Sequence, residues 1–172
     1  MDFRIGIGKD IHRLVAGRRL MIGGVEIDSD LGAKGHSDAD VLLHAITDAM
    51  LGALALGDIG SHFPNSDERW RNAESSVFLR YALDLAKQRG FRIANIDSTV
   101  SLEAPTMRPY IDKIRESIAR VLDIDLDRIC VKAKTNEKLG AVGRGDAIAA
   151  EAIVLLESAE ARIPQMPQAR SN

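Results

Sequence analysis

Ala147-Ile148-Ala149-Ala150-Glu151-Ala152-Ile153-Val154-Leu155-Leu156 is the stretch on which the fold turns, because two elements compete for it. Its alanines favour a helix. Its unbroken apolar character and the Ile153-Val154 pair suit a buried strand instead. The segments around it are easier to read. Upstream, Thr135 to Gly145 is a glycine-rich loop and Ile129 to Lys134 a strand. Arg108 to Leu122 reads as a helix with Pro109 in its first turn, where proline is tolerated. Ala104-Pro105-Thr106 is a turn, and Phe91 to Leu102 alternates like a strand through Ile93, Ile96 and Thr99-Val100-Ser101-Leu102.

Further out, Glu74 to Gln88 is a helix that stops at Gly90, and Gly57 to Arg71 is a loop. Asp38 to Leu56 is a helix with one face formed by Leu42, Leu43, Ile46, Ala49, Met50, Ala53 and Leu54. Ser37 is its predicted N-cap, with Asp40 three residues on completing a capping box. Gly32 to His36 is a polar loop. Arg19 to Asp28 is a strand or a hairpin around Gly23-Gly24, and Phe3 to Gly8 a short strand. From about Ser158 the chain turns polar and proline-bearing, so residues 158–172 are expected to form a loose tail. There are no internal repeats. Two helical stretches stand between successive strands, which predicts a two-layer sandwich of the α+β or α/β class.

The 172 residues suit one domain. A hydrophobic fraction of 45% and a charged fraction of 28% are ordinary for a globular protein. Lys and Arg number 23 against 25 Asp and Glu, a net charge of -2. So even a balance gives no global pull toward nucleic acid or an anionic membrane, and any anion site must be local. The N-terminus lacks a long apolar stretch and no run approaches a membrane span, so a cytoplasmic enzyme is expected. The lone cysteine, Cys130, sits in an apolar run and reads as a buried strand thiol.

Chemistry-bearing residues fall in three places. Asp10 and His12 are two apart at the end of the first strand, so their side chains project together. With His44 on the helix they form a carboxylate and two imidazoles, a set suited to zinc, whose catalytic sites often use three protein ligands. An incidental Asp–His hydrogen bond is the alternative. Asp40, His44 and Asp48 form one helical stripe, so Asp40 or Asp48 could hold the far ring nitrogen of His44.

The second place is Lys132-Ala133-Lys134-Thr135-Asn136-Glu137-Lys138-Leu139-Gly140 with Gly143-Arg144-Gly145, where glycines and cations could cradle phosphate and Glu137 could hold magnesium. A charged hairpin loop is the other reading. The third is Asp58-Ile59-Gly60 with Phe63-Pro64, where Asp58 could accept from a polyol, or simply close a turn. His36-Ser37 could grip phosphate.

In order along the chain, Gly8-Lys9-Asp10-Ile11-His12-Arg13, Gly35-His36-Ser37-Asp38-Ala39-Asp40-Val41-Leu42-Leu43-His44-Ala45, Ala55-Leu56-Gly57-Asp58-Ile59-Gly60 with Phe63-Pro64, Ala104-Pro105, and Glu137-Lys138-Leu139-Gly140 with Gly143-Arg144-Gly145 resemble the 2-C-methyl-D-erythritol 2,4-cyclodiphosphate synthases of the non-mevalonate isoprenoid pathway. The resemblance covers roughly residues 3 to 157 and implies a synthase domain over 1–157. It settles Ala147–Leu156 as a strand. It implies a single-domain α+β fold, a mixed four-stranded sheet with helices on one face, assembling as a homotrimer with active sites between subunits.

It further implies a metal, usually zinc, at Asp10, His12 and His44, and magnesium or manganese at Glu137 bridging a diphosphate. His36, Ser37, Asp58, Gly60, Asp67, Lys132, Thr135 and Arg144 would bind substrate, with His36 and Thr135 the catalytic side chains. Ala104, Pro105, Thr106, Met107, Arg108 and Ala133 would surround cytidine. A central cavity near Arg144 and Glu151 could take an isoprenoid diphosphate. Asn65, where an aspartate often follows Phe-Pro, and Lys134, where threonine is common, depart from the family pattern.

The implied substrate is 4-diphosphocytidyl-2-C-methyl-D-erythritol 2-phosphate, whose 2-phosphate attacks the β-phosphorus and expels CMP. The substrate brings its own nucleophile, so no general base is assigned. The rivals are a metal-dependent phosphoesterase and a non-catalytic trimer that binds isoprenoid diphosphates.

Overall fold

The structure, a computed structural model, describes residues 2–159. The elements are β1 (Phe3–Ala16), β2 (Leu20–Ile22), β3 (Val25–Ile27), β4 (Leu31–Ala33), α1 (Val41–Ala53), α2 (Ile59–His62), α3 (Ser75–Gln88), β5 (Phe91–Ser101), α4 (Ile111–Leu122), β6 (Ile129–Lys134), α5 (Gly140–Gly143) and β7 (Ala147–Ser158). One mixed sheet runs β4-β1-β7-β5-β6, and β2-β3 form a separate hairpin. β5 and β6 are parallel, while the other neighbours in the main sheet are antiparallel.

The ambiguous stretch is therefore a strand, and a central one. Its even positions, Ile148, Ala150, Ala152, Val154 and Leu156, are buried. The alanines that read as helix formers are small because α1 lies across β1 and β7. The same closeness explains Gly6 and Gly8 on β1: a Cβ at either would fall within 2.0 Å of a carbonyl oxygen of α1. Tertiary contact, not local propensity, selects the residues here. α4 shows the opposite case, with Ile114, Ile118 and Leu122 buried along one stripe and Asp123 closing the helix in the left-handed region.

Three expectations are corrected. The sheet has five strands, not four, because β1 continues well past Gly8 and its far end, Leu14 to Ala16, pairs with β4. Helix α1 starts at Val41 and its cap is Asp40, not Ser37. The Asp40 carboxylate accepts from the backbone N–H groups of Leu42 and Leu43, and also from those of Gly23 and Gly24 in the β2-β3 hairpin. Cys130 is exposed, since β6 turns Ile129 and Val131 inward and Cys130 outward. Strand β7 runs on to Ser158; the rest of the predicted tail, from residue 160, lies outside the described residues.

The helices cover one face of the sheet. The other face carries Phe3, Ile5, Ile7, Ile11 and Ile153, and Ile5 and Ile7 are 70% and 72% exposed. The chain alone leaves that apolar face uncovered. No helix of the described residues is long and apolar enough to cross a membrane.

Candidate metal centre and adjoining clefts

Asp10 and His12 stand on the helix side of β1, the side on which Gly8 meets α1, and His44 reaches them from the first turns of that helix. His12 Nε2 and His44 Nδ1 are each 2.9 Å from Asp10 Oδ2, and 3.2 Å from one another. Among the described residues this is the group of acidic and imidazole donors that converges on a point. A tetrahedral ion with bonds of about 2.0–2.1 Å sets its ligands about 3.3 Å apart, so the donor set fits zinc in both chemistry and size. Burial alone would raise Asp10, but hydrogen bonds from both histidines and the pull of their rings hold its carboxyl far below the ordinary carboxylate value. It is thus a ready anionic ligand.

The outer nitrogen of His44 is not held by Asp40 or Asp48. Asp40 is engaged as the helix cap, where full burial pushes its carboxyl up against the four backbone donors. Asp48 accepts from Ile59 N–H at 2.7 Å and lines the metal cleft; burial raises it too. The partner of His44 Nε2 is Ser75 Oγ at 2.8 Å, with Ser37 Oγ at 3.2 Å. Residue-by-residue reading missed Ser75 because nothing local marks it.

The metal triad opens into a cleft of about 320 Å³ that His36, Ser37, Asp48 and Gly60 also line. Asp58 stands at its edge as the cap of α2, accepting from Ser61. The Asp67 carboxylate accepts from the Arg69 guanidinium at 2.6 Å, and the Asp67 carbonyl lies 3.2 Å from His36 Nε2. The loop that bears His36 and Ser37 is pinned by Arg18, which donates to the Ser37 carbonyl at 2.8 Å.

A second cleft, about 460 Å³, is lined by Pro105, Thr106, Met107, Arg108, Ala133 and Thr135, with Lys134 beside them. Ala104 faces a neighbouring hollow with Asp28 and Asp30. Glu137 accepts from Thr135 Oγ1 at 2.7 Å. Lys132 does not join this cleft. It points to the open face of the sheet, where it pairs with Asp97. Arg144 stands apart, paired with Asp146 in a hollow that also contains Arg13 and Ile11. The pairing Asp10↔Ala150↔Val100↔Ala133 puts the two clefts at one level of the sheet. Three strand spacings separate them, about 14 Å.

The chain is similar to known proteins along most of its length. The family model described as the YgbB family matches residues 3–157. A 2-C-methyl-D-erythritol 2,4-cyclodiphosphate synthase of Solibacter usitatus is 54% identical over 156 residues, 91% of this chain and 98% of that one. The bifunctional IspDF of Campylobacter jejuni superposes with a TM-score of 0.88 and 41% identity, over 91% of this chain and 42% of that longer one. A 2C-methyl-D-erythritol-2,4-cyclodiphosphate synthase solved in a CDP-bound form gives a TM-score of 0.83 and 42% identity, over 90% of this chain and 100% of that one.

Proposed function

The chain belongs to the YgbB family, and on that premise we propose that it converts 4-diphosphocytidyl-2-C-methyl-D-erythritol 2-phosphate to CMP and 2-C-methyl-D-erythritol 2,4-cyclodiphosphate, the product after which its relatives are named. The observation that carries the proposal is the convergence of Asp10, His12 and His44 at the floor of a cleft edged by His36, Ser37 and Gly60. A divalent ion held by those three ligands would draw charge from phosphoryl oxygens, and zinc is the ion we assign. Magnesium or manganese is assigned to Glu137, beside the diphosphate.

The chain's own groups then position the substrate. His36 and Ser37 hold phosphate, Asp58 and Gly60 the methylerythritol, and Asp67 steadies His36. Pro105, Thr106, Met107, Arg108, Ala104 and Ala133 take cytidine, with Thr135 and His36 nearest the reacting phosphoryl group. Lys132 and Arg144 add positive charge once a neighbouring chain is present. Folding the flexible polyol so that its 2-phosphate lies against the β-phosphorus makes the step unimolecular, a gain of up to about 7–11 kcal/mol when attack geometry is enforced. A phosphate nucleophile is already ionised near neutral pH, so no side chain must deprotonate it.

We further propose a homotrimer. The exposed apolar face of β1 and β7 supports it, as do two clefts that share no lining residue within one chain. An isoprenoid diphosphate in the central cavity near Arg144 and Glu151 belongs to the same reading, as does a cytoplasmic location and a synthase domain over 1–157.

Phosphorus NMR of the cytidyl substrate with protein and divalent metal tests the proposal. The expected products are CMP and a cyclic diphosphate with two coupled phosphorus signals. A linear phosphate beside CMP would instead make the chain a phosphoesterase, and an unchanged spectrum would make it a binding protein. His44→Ala should lose both zinc and turnover, and Glu137→Ala should raise the magnesium requirement more than it lowers zinc content. Full turnover by metal-stripped protein would remove the basis for the triad.

A further inference from the structure

His44 presents Nδ1 to the triad, so the aim of its lone pair depends on what holds Nε2. Ser75, the fully buried first residue of α3, places Oγ 2.8 Å from that nitrogen. The Ser75 hydroxyl donates to Asp38 Oδ1. A hydroxyl has a single proton, and a carboxylate can only accept it. With that proton engaged, Ser75 Oγ can only accept from His44, which keeps a hydrogen on Nε2, so that an ion at the triad would take the place of the proton Nδ1 gives Asp10 and meet the Nδ1 lone pair. Ser37 Oγ lies 3.2 Å from the same nitrogen but already accepts from Ala39 N–H, so it is the poorer acceptor.

Asp38 is held as firmly. Its Oδ2 accepts from Ser75 N–H at 3.1 Å, and its own N–H donates to the Ala73 carbonyl at 3.0 Å. Glu74, which precedes α3, makes no capping bond of its own, so Asp38 supplies the missing acceptor from another loop. The loop that carries His36 and Ser37, the start of α3 and the His44 ring are thus joined through one carboxylate.

We propose that Ser75, backed by Asp38, is a positioning residue that orients His44 for metal binding; the inference rests on the metal reading of the triad. Two measurements test it: zinc affinity by competition with a chromophoric chelator, and the His44 Nε2–H resonance of the zinc-loaded, nitrogen-15-labelled protein. Ser75→Ala should weaken zinc by about 10–100-fold and speed solvent exchange of that proton, with native dispersion retained elsewhere in the spectrum. Asp38→Asn, which keeps the size of the side chain and offers Ser75 a donor, should weaken zinc in the same sense.

A folded Ser75→Ala that binds zinc within twofold of wild type would overturn the proposal, because a merely structural serine would leave affinity untouched. If Ser75→Ala does not fold, Asp38→Asn and the wild-type spectrum decide. Unchanged zinc affinity in the first, or a rapidly exchanging Nε2–H in the second, would overturn it equally. Wild-type protein that takes up no zinc would instead fail the triad itself.

Discussion

Gly8→Ala should loosen the metal centre without touching a ligand. A Cβ at Gly8 would lie 2.0 Å from the Ala45 carbonyl oxygen, 2.7 Å from Ala49 N and 2.9 Å from Asp48 Cβ. Ordinary contact begins at 3.4 Å, so α1 must retreat from β1 by up to 3.4 − 2.0 = 1.4 Å. The nearest obstacles are backbone atoms, which no rotamer change can relieve. Overpacking of this kind costs about 1–3 kcal/mol, and rigid main chain on both sides argues for the upper end. Gly8 is two residues from Asp10, and Ala45 follows His44, so the same retreat separates the ligands. Metal sites hold their distances to about ±0.2 Å, far less than this displacement. Urea unfolding followed by circular dichroism should show a loss near 3 kcal/mol with an unchanged slope. Chelator competition should show zinc binding weakened at least about tenfold. A Gly8→Ala protein with wild-type stability and wild-type zinc affinity would refute the packing argument and its link to the site.

Gly52→Ala is the contrasting case: Gly52 is exposed within α1, and an added Cβ would meet only Ile7 O at 3.8 Å. Alanine should therefore stabilise the helix by roughly 0.5–1 kcal/mol. That corresponds to a melting temperature higher by about 1–4 °C, and a drop would show that the gap is already filled. On the open face, the bond from Lys132 holds the Asp97 carboxyl below its ordinary value of 3.8, despite a small opposing effect of burial. A depressed carboxyl contributes stability above its unfolded value and loses it as pH falls through the folded one. Asp97→Asn should thus cost at most about 1 kcal/mol at pH 7, both groups being well exposed. The gap to wild type should close as pH is taken below 3.8, and a gap that widened on acidification would contradict the pairing.

What could be read from the chain alone was whatever depends on near neighbours. The strand alternation that aligns Asp10 with His12, and the stripe Ile114, Ile118, Leu122, follow from spacing. The length of β1 was hidden because Asp10, His12 and Arg13 are polar, as a solvated loop would be, although Asp10 and His12 turn to the triad and Arg13 turns to the other face with Ile11. The composition of β7 misled for a related reason: Ala150 and Ala152 answer to the helix packed above them. Local spacing makes Asp40 the partner in a capping box headed by Ser37, whereas it is the cap itself. The backbone of the distant β2-β3 hairpin, which completes its set of donors, has no counterpart in local sequence. Ser75 and Asp38 stand 37 residues apart, and no spacing rule links them. The outward aim of Lys132 follows from strand parity, which places it opposite Ala133 once β6 begins at Ile129.

The place of β7 has a consequence for how the protein is born. β1 leaves the ribosome well before its long neighbour: Lys9 meets Glu151, 142 residues later. At a synthesis rate of about 5–20 residues per second, β1 waits roughly 7–30 s for that neighbour. Through that interval the edge of β1 that β7 will pair is bare, beside the row Phe3, Ile5, Ile7 that the folded chain also leaves exposed, so the nascent chain is a natural client for chaperones that shield apolar strands.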